Sequence, residues 1–118
     1  MSSRTEGPVL AVVKDLFFVA RIRETARLAG VPIVFARTPA EITAAATQRP
    51  RLALVDLTGG FDYGVVFDAL DGVKPVLAFT THGLAATTKP WHARCDRVVT
   101  KETLTAELPE MLTQGIAP

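Results

Sequence analysis

Asp56 closes the apolar run Arg51-Leu-Ala-Leu-Val-Asp56 and opens into Leu-Thr-Gly-Gly. A carboxylate at the C-terminal end of a buried strand, followed by a glycine loop, lies where open α/β sheets place their binding crevice. There it can serve as a ligand, a nucleophile or a polar anchor. Other reactive side chains follow the other apolar runs: Lys14-Asp15 after the first, Thr80-Thr81 after the fourth and Lys101 after the fifth. Two carboxylates, a hydroxyl and one or two amines on one edge can make a site for Mg²⁺ and a phosphoryl group. Hard cations take oxygen ligands, here Asp15 and Asp56, and a lysine neutralises phosphoryl oxygens.

These residues converge only if the runs that precede them are parallel strands. Residues 9–13 form a continuous apolar run of strand length. Residues 16–29 then read as a helix, with Phe18, Ile22, Ala26 and Ala29 at helical spacing and Gly30 as its stop. Residues 32–36 are a second strand. Thr38-Pro-Ala-Glu41 supplies an N-cap, a proline at the first helical position and an acid in the first turn, starting a helix that ends before Arg49-Pro50. Strand three covers residues 52–55, a short helix 63–70 and strand four 75–80. Residues 83–94 are helix-like but contain Pro90, which should break or kink them. A short strand at 97–99 and a helix at 102–112 complete the pattern.

Unalternated apolar strands are those covered on both faces, as in a parallel sheet flanked by helices. Five βα units in 118 residues imply a doubly wound, flavodoxin-like, five-stranded sheet of order 2-1-3-4-5. The chain is expected to be a single stand-alone domain with a core at about 8–114, and loose tails at 1–8 and 115–118.

Composition narrows the function classes. A formal charge of +1, with 48% hydrophobic and 21% charged residues, gives no electrostatic reason to expect nucleic acid or an anionic membrane as partner. No apolar run approaches a membrane span and the N-terminus lacks the apolar core of a signal peptide, so a cytoplasmic protein is expected. Cys95 is the only cysteine; a buried structural thiol is expected rather than a ligand or nucleophile.

At the strand ends, the ordered set Asp15, Asp56, Gly64, Thr80 and Ala93-Arg-Cys-Asp-Arg-Val-Val-Thr-Lys101 resembles the receiver domain of bacterial two-component response regulators, the CheY-like family. The resemblance covers roughly residues 8–114. It implies that Asp56 is the phospho-accepting aspartate, Thr80 the switch hydroxyl and Lys101 the lysine that pairs with the phosphoryl group. Asp15 then matches one of the acids that hold Mg²⁺.

The departures from that pattern carry equal weight. Lys14 stands where the first acid of the pair belongs, and a cation there opposes a divalent metal by charge repulsion or partly replaces it. The loop after Asp56 has Thr58-Gly-Gly-Phe61 in place of Met-Pro, and Tyr63 replaces the acid before Gly64. Val98 replaces the switch aromatic, and Glu102 a proline after Lys101. Pro90 and Trp91 disrupt helix four.

Three readings follow. In the preferred one the chain is a pseudo-receiver, a signalling module that binds a sensor kinase or a downstream protein and is not an enzyme. Asp56 then pairs with Lys14 or Lys101. In the second it is a Mg²⁺-dependent receiver that phosphorylates and dephosphorylates Asp56. In the third it binds a small ligand, with Thr58-Gly-Gly60 as an anion-holding loop. No Gly-rich dinucleotide or Walker fingerprint supports the third, so no cofactor beyond Mg²⁺ is expected. Phe17, off the apolar stripe of helix one, and Trp91 are the candidate partner anchors, in a monomer or homodimer. His82 is expected to be a solvated loop residue.

Overall fold

The computed structural model describes residues 7–116. It contains β1 (Val9–Val12), α1 (Leu16–Ala29), β2 (Ile33–Phe35), α2 (Pro39–Ala46), β3 (Leu52–Asp56) and α3 (Tyr63–Ala69). After these come β4 (Val76–Thr80), a 3₁₀ turn (His82–Leu84), α4 (Ala85–His92), β5 (Arg97–Thr100) and α5 (Lys101–Gln114). All strand pairs are parallel, in the order β2-β1-β3-β4-β5. This is the expected flavodoxin-like sheet.

Alternation along each strand feeds two separate layers. Val9, Ala11 and Val13 point to the face covered by α1 and α5, where they meet Ile22, Ala26, Leu104 and Leu108. Leu10 and Val12 point the other way, to Ile42 of α2 and to Val66 and Phe67 of α3. Both faces of β1, β3 and β4 are therefore buried, which is why those strands read as unbroken apolar runs.

Local signals set the helix ends. Asp15 caps α1, its Oδ1 accepting from the backbone N–H groups of Phe17 (2.9 Å) and Phe18 (3.2 Å). Gly30 ends α1 in the left-handed conformation (φ 71°), which glycine adopts without a Cβ penalty. At α2, Thr38 Oγ1 accepts from the N–H of Glu41, whose side chain accepts from the N–H of Thr38.

Three expectations need correction. Pro90 does not break α4, because it sits in the last turn of that eight-residue helix. The single backbone acceptor it orphans belongs to Ala86, an exposed residue. Gly7 and Pro8 are not loose. Their carbonyls accept from the Arg51 side chain and backbone, and a Cβ on Gly7 would collide with the Arg49 carbonyl. At the other end Ile116 packs on the α1/α5 layer. The remaining tail residues, 1–6 and 117–118, lie outside the described residues. No helix among the described residues is long and apolar enough to cross a membrane.

Candidate functional site

The strand order reverses between β1 and β3, so the crevice at their C-terminal ends is the natural binding position of this sheet. Val12 pairs with Val55, placing Lys14 and Asp15 just beyond the level of Asp56. Asp56 in turn pairs with Phe79, and Thr80 with Thr100. The topology therefore brings Asp15, Asp56, Thr80 and Lys101 to one edge, as their positions in the sequence imply.

What each side chain does there differs from the expected salt-bridged arrangement. Asp56 is only 2% exposed. Its Oδ1 accepts from the Thr58 backbone N–H at 2.8 Å and from the Thr58 hydroxyl at 2.7 Å. Two donors from one residue of its own loop thus occupy this carboxylate oxygen, in a local turn of the kind that Asp-x-Thr favours. Among the described residues Asp56 makes no ion pair with Lys14 or Lys101.

Lys14 is exposed and reaches the Gly60–Phe61 part of the same loop. Its Nζ donates to the Gly60 carbonyl at 3.4 Å and stands 4.4 Å from the centre of the Phe61 ring. Hydration favours this position over a buried pairing, which would strip water from the ammonium. Lys101 instead reaches Asp15, Nζ to Oδ2 at 4.0 Å, and lies over the Phe18 ring at 4.9 Å.

Tyr63 closes the loop. Its hydroxyl donates to the Asp56 carbonyl at 2.6 Å and accepts from the Gly59 N–H at 2.9 Å. Burial pushes its phenol pKa above the ordinary value, so it stays a donor at neutral pH. The Asp-x-Thr spacing was the available signal for the Thr58 contact. The tyrosine at the start of α3 carried no comparable signal.

Thr80 is buried and engaged elsewhere. Its hydroxyl accepts from Thr88 of α4 at 3.1 Å, and Thr88 Oγ1 lies 2.9 Å from His92 Nε2. Thr88 and His92 are one helical turn apart on α4, a spacing that places them on one face. Trp91, an expected partner anchor, is turned inward. It lies 5.9 Å from Tyr63 and 6.1 Å from Phe67, ring centre to ring centre. Phe17 is the opposite case, 91% exposed beside Leu16 at 66%. His82 is exposed, with Glu102 3.7 Å away. Cys95 is half-buried, its thiol pushed up to about 11 by burial and then by Asp96. It is therefore a protonated, unreactive thiol at neutral pH.

Mg²⁺ finds a poor donor set here. No group of three or more His, Cys, Asp or Glu side chains comes together among the described residues. Asp15 divides its oxygens between the α1 cap and Lys101, while Asp56 Oδ1 is filled by Thr58. The cation Lys14 occupies the position beside them.

No family model matches this sequence, and no curated protein matches it. Solved structures do. The receiver domain of a sensor histidine kinase from Pseudomonas aeruginosa, solved with magnesium coordinated in its active-site cleft, superposes with a TM-score of 0.73 at 18% identity, covering 92% of this chain and 95% of its own. A chemotaxis response regulator of Vibrio cholerae gives 0.70 at 18% identity, covering 93% and 98% respectively. A phosphorylated cyanobacterial phytochrome response regulator gives 0.63 at 18%, covering 92% and 89%. The fold is that of response-regulator receiver domains.

Proposed function

We propose that this chain is a pseudo-receiver: a signal-transduction module that keeps the receiver fold and binds a protein partner, with metal-dependent phosphorylation of Asp56 impaired. One observation carries the reading. Both carboxylates at the β1/β3 edge are already committed, Asp15 to its helix and Lys101, and Asp56 to Thr58, with lysine at the adjoining position. A divalent ion would have to displace these contacts while meeting a nearby cation, a cost that a third acid would ordinarily offset.

The partner is a sensor kinase or downstream signalling protein that meets the sheet edge at the start of α1. Leu16 and Phe17 present exposed apolar surface there, and a large exposed aromatic is the usual kind of interface anchor. A cytoplasmic location fits that role.

Trp91 reports on the site, because it packs on Tyr63, whose hydroxyl holds the Asp56 loop. Titration of its fluorescence with Mg²⁺, with and without beryllofluoride, tests the proposal. No change at millimolar metal is expected. A saturable metal-dependent change that Asp56→Asn abolishes would instead establish a working phospho-switch with Asp56, Thr80 and Lys101 in their receiver roles.

A further inference from the structure

Asp56 is buried, whereas the residue that covers it is not. Thr58 is half-exposed, and the loop continues through half-exposed Gly59 to exposed Gly60. Of the two residues, Thr58 is therefore the more accessible to an electrophile approaching this edge from solvent. That hydroxyl already points its proton at Asp56 Oδ1 across 2.7 Å, within the range a general base requires. The same carboxylate oxygen is held in place by the Thr58 N–H at 2.8 Å. Nucleophile, base and a group that orients the base are thus assembled within three consecutive residues.

We propose that Thr58 is a phosphoryl-acceptor site, with Asp56 as its general base and an acyl phosphate as the donor class. The inference rests on the reading that metal-dependent aspartyl chemistry is impaired here. In the reaction the Thr58 Oγ–P bond forms while the bond from phosphorus to the acyl oxygen breaks. The electron pair of that bond leaves with the carboxylate product. The Thr58 proton passes to Asp56 and from there to solvent. No oxidant, reductant or metal is needed for the balance.

Phosphoryl transfer depends mainly on positioning and on neutralising charge at the equatorial oxygens. Lys14 supplies the nearby cation. Its Nζ rests on the Gly60 carbonyl, two residues from Thr58, through a long 3.4 Å contact that an incoming phosphoryl group can outcompete. Lys14 is thereby a charge partner for this acceptor, and not only an obstacle to Mg²⁺.

The experiment is incubation of the full chain with acetyl phosphate in the presence of a chelator, followed by intact-mass analysis, hydroxylamine treatment and fragmentation. One phosphoryl group on Thr58, stable to hydroxylamine, is expected. An aspartyl phosphate is an acyl phosphate and is cleaved by that reagent, whereas a threonine ester is not. Thr58→Ser should keep the label and Thr58→Val should lose it. Asp56→Asn should slow labelling by about 10²–10⁴-fold, the usual contribution of a general base. Circular dichroism and Trp91 fluorescence establish that each variant is folded.

Absence of any label under these conditions overturns the Thr58 proposal and leaves the pseudo-receiver reading intact. A label retained in Thr58→Val also overturns it. A hydroxylamine-labile label that appears when Mg²⁺ replaces the chelator, and that Asp56→Asn removes, overturns the pseudo-receiver reading and the Thr58 proposal that rests on it.

Discussion

Phe17 and Trp91 are the two aromatic residues that the sequence offers as partner anchors, and the fold treats them in opposite ways. Phe17 sits one residue into α1, on the side of the helix away from the Phe18–Ile22–Ala26 stripe, and is 91% exposed. Trp91 sits near the end of α4 and packs inward on Tyr63 and Phe67. The difference lies in the depth of the layer beneath each helix. α1 is a 14-residue helix with a complete apolar stripe of its own, so a second aromatic has nowhere to go. α4 has eight residues and contributes only Thr88 as a fully buried side chain. Trp91 supplies the bulk that joins α4 to α3.

Substitution of Trp91 should have the largest effect. Trp91→Ala removes a half-buried ring from the layer that also holds Phe67, Cys95 and Val98. A cost of about 2 kcal/mol is expected, below the range for fully buried tryptophan because the ring is partly solvated. Urea denaturation followed by far-ultraviolet circular dichroism measures it. A change under about 0.5 kcal/mol would show that the ring does not join the helices and would return Trp91 to the list of partner anchors.

Tyr63→Phe comes next. The variant keeps the ring contacts with Phe61 and Trp91 but removes the hydroxyl that bridges the Asp56 carbonyl and the Gly59 N–H. The loss should be about 1–2 kcal/mol, since one bridge serves two backbone groups. Amide exchange at Gly59 should quicken more than exchange in the sheet, because the effect is local. Uniform acceleration across the chain would mean that the hydroxyl supports the fold as a whole and not the loop.

These residues also mark how far the sequence could be read. The fold was legible because β1, β3 and β4 are buried on both faces and the first two helices carry clear end signals, Asp15 and Gly30 for α1 and Thr38 for α2. The presence of Asp15, Asp56, Thr80 and Lys101 at one edge followed from the parallel order alone. Their contacts did not, because they depend on competition between near neighbours. Asp56 has Thr58 two residues away, so the local turn forms at little entropic cost. A bond to Lys14 or Lys101 would require burying an ammonium. The Thr88–His92 contact was hidden for a related reason. It needs α4 to continue to His92, and Pro90 argued against that helix until its place in the last turn was known.

Phe17→Ala should have the smallest effect on the isolated protein, and that is its value. The side chain is almost fully solvated, so stability should change by less than about 0.5 kcal/mol, measured by the same urea denaturation. A loss above about 1 kcal/mol would show that Phe17 packs on its own chain, against the grooves beside Arg21 and Glu24 or above Lys101. If stability is unchanged, the ring has no structural role at the start of α1, where Leu16 is exposed as well. Apolar area left in water this way contributes nothing to folding, yet removing it from water on association is favourable at about 25 cal/mol per Å². A neutral Phe17→Ala therefore leaves the ring free for contact with another molecule, while a costly Trp91→Ala assigns its counterpart to the interior.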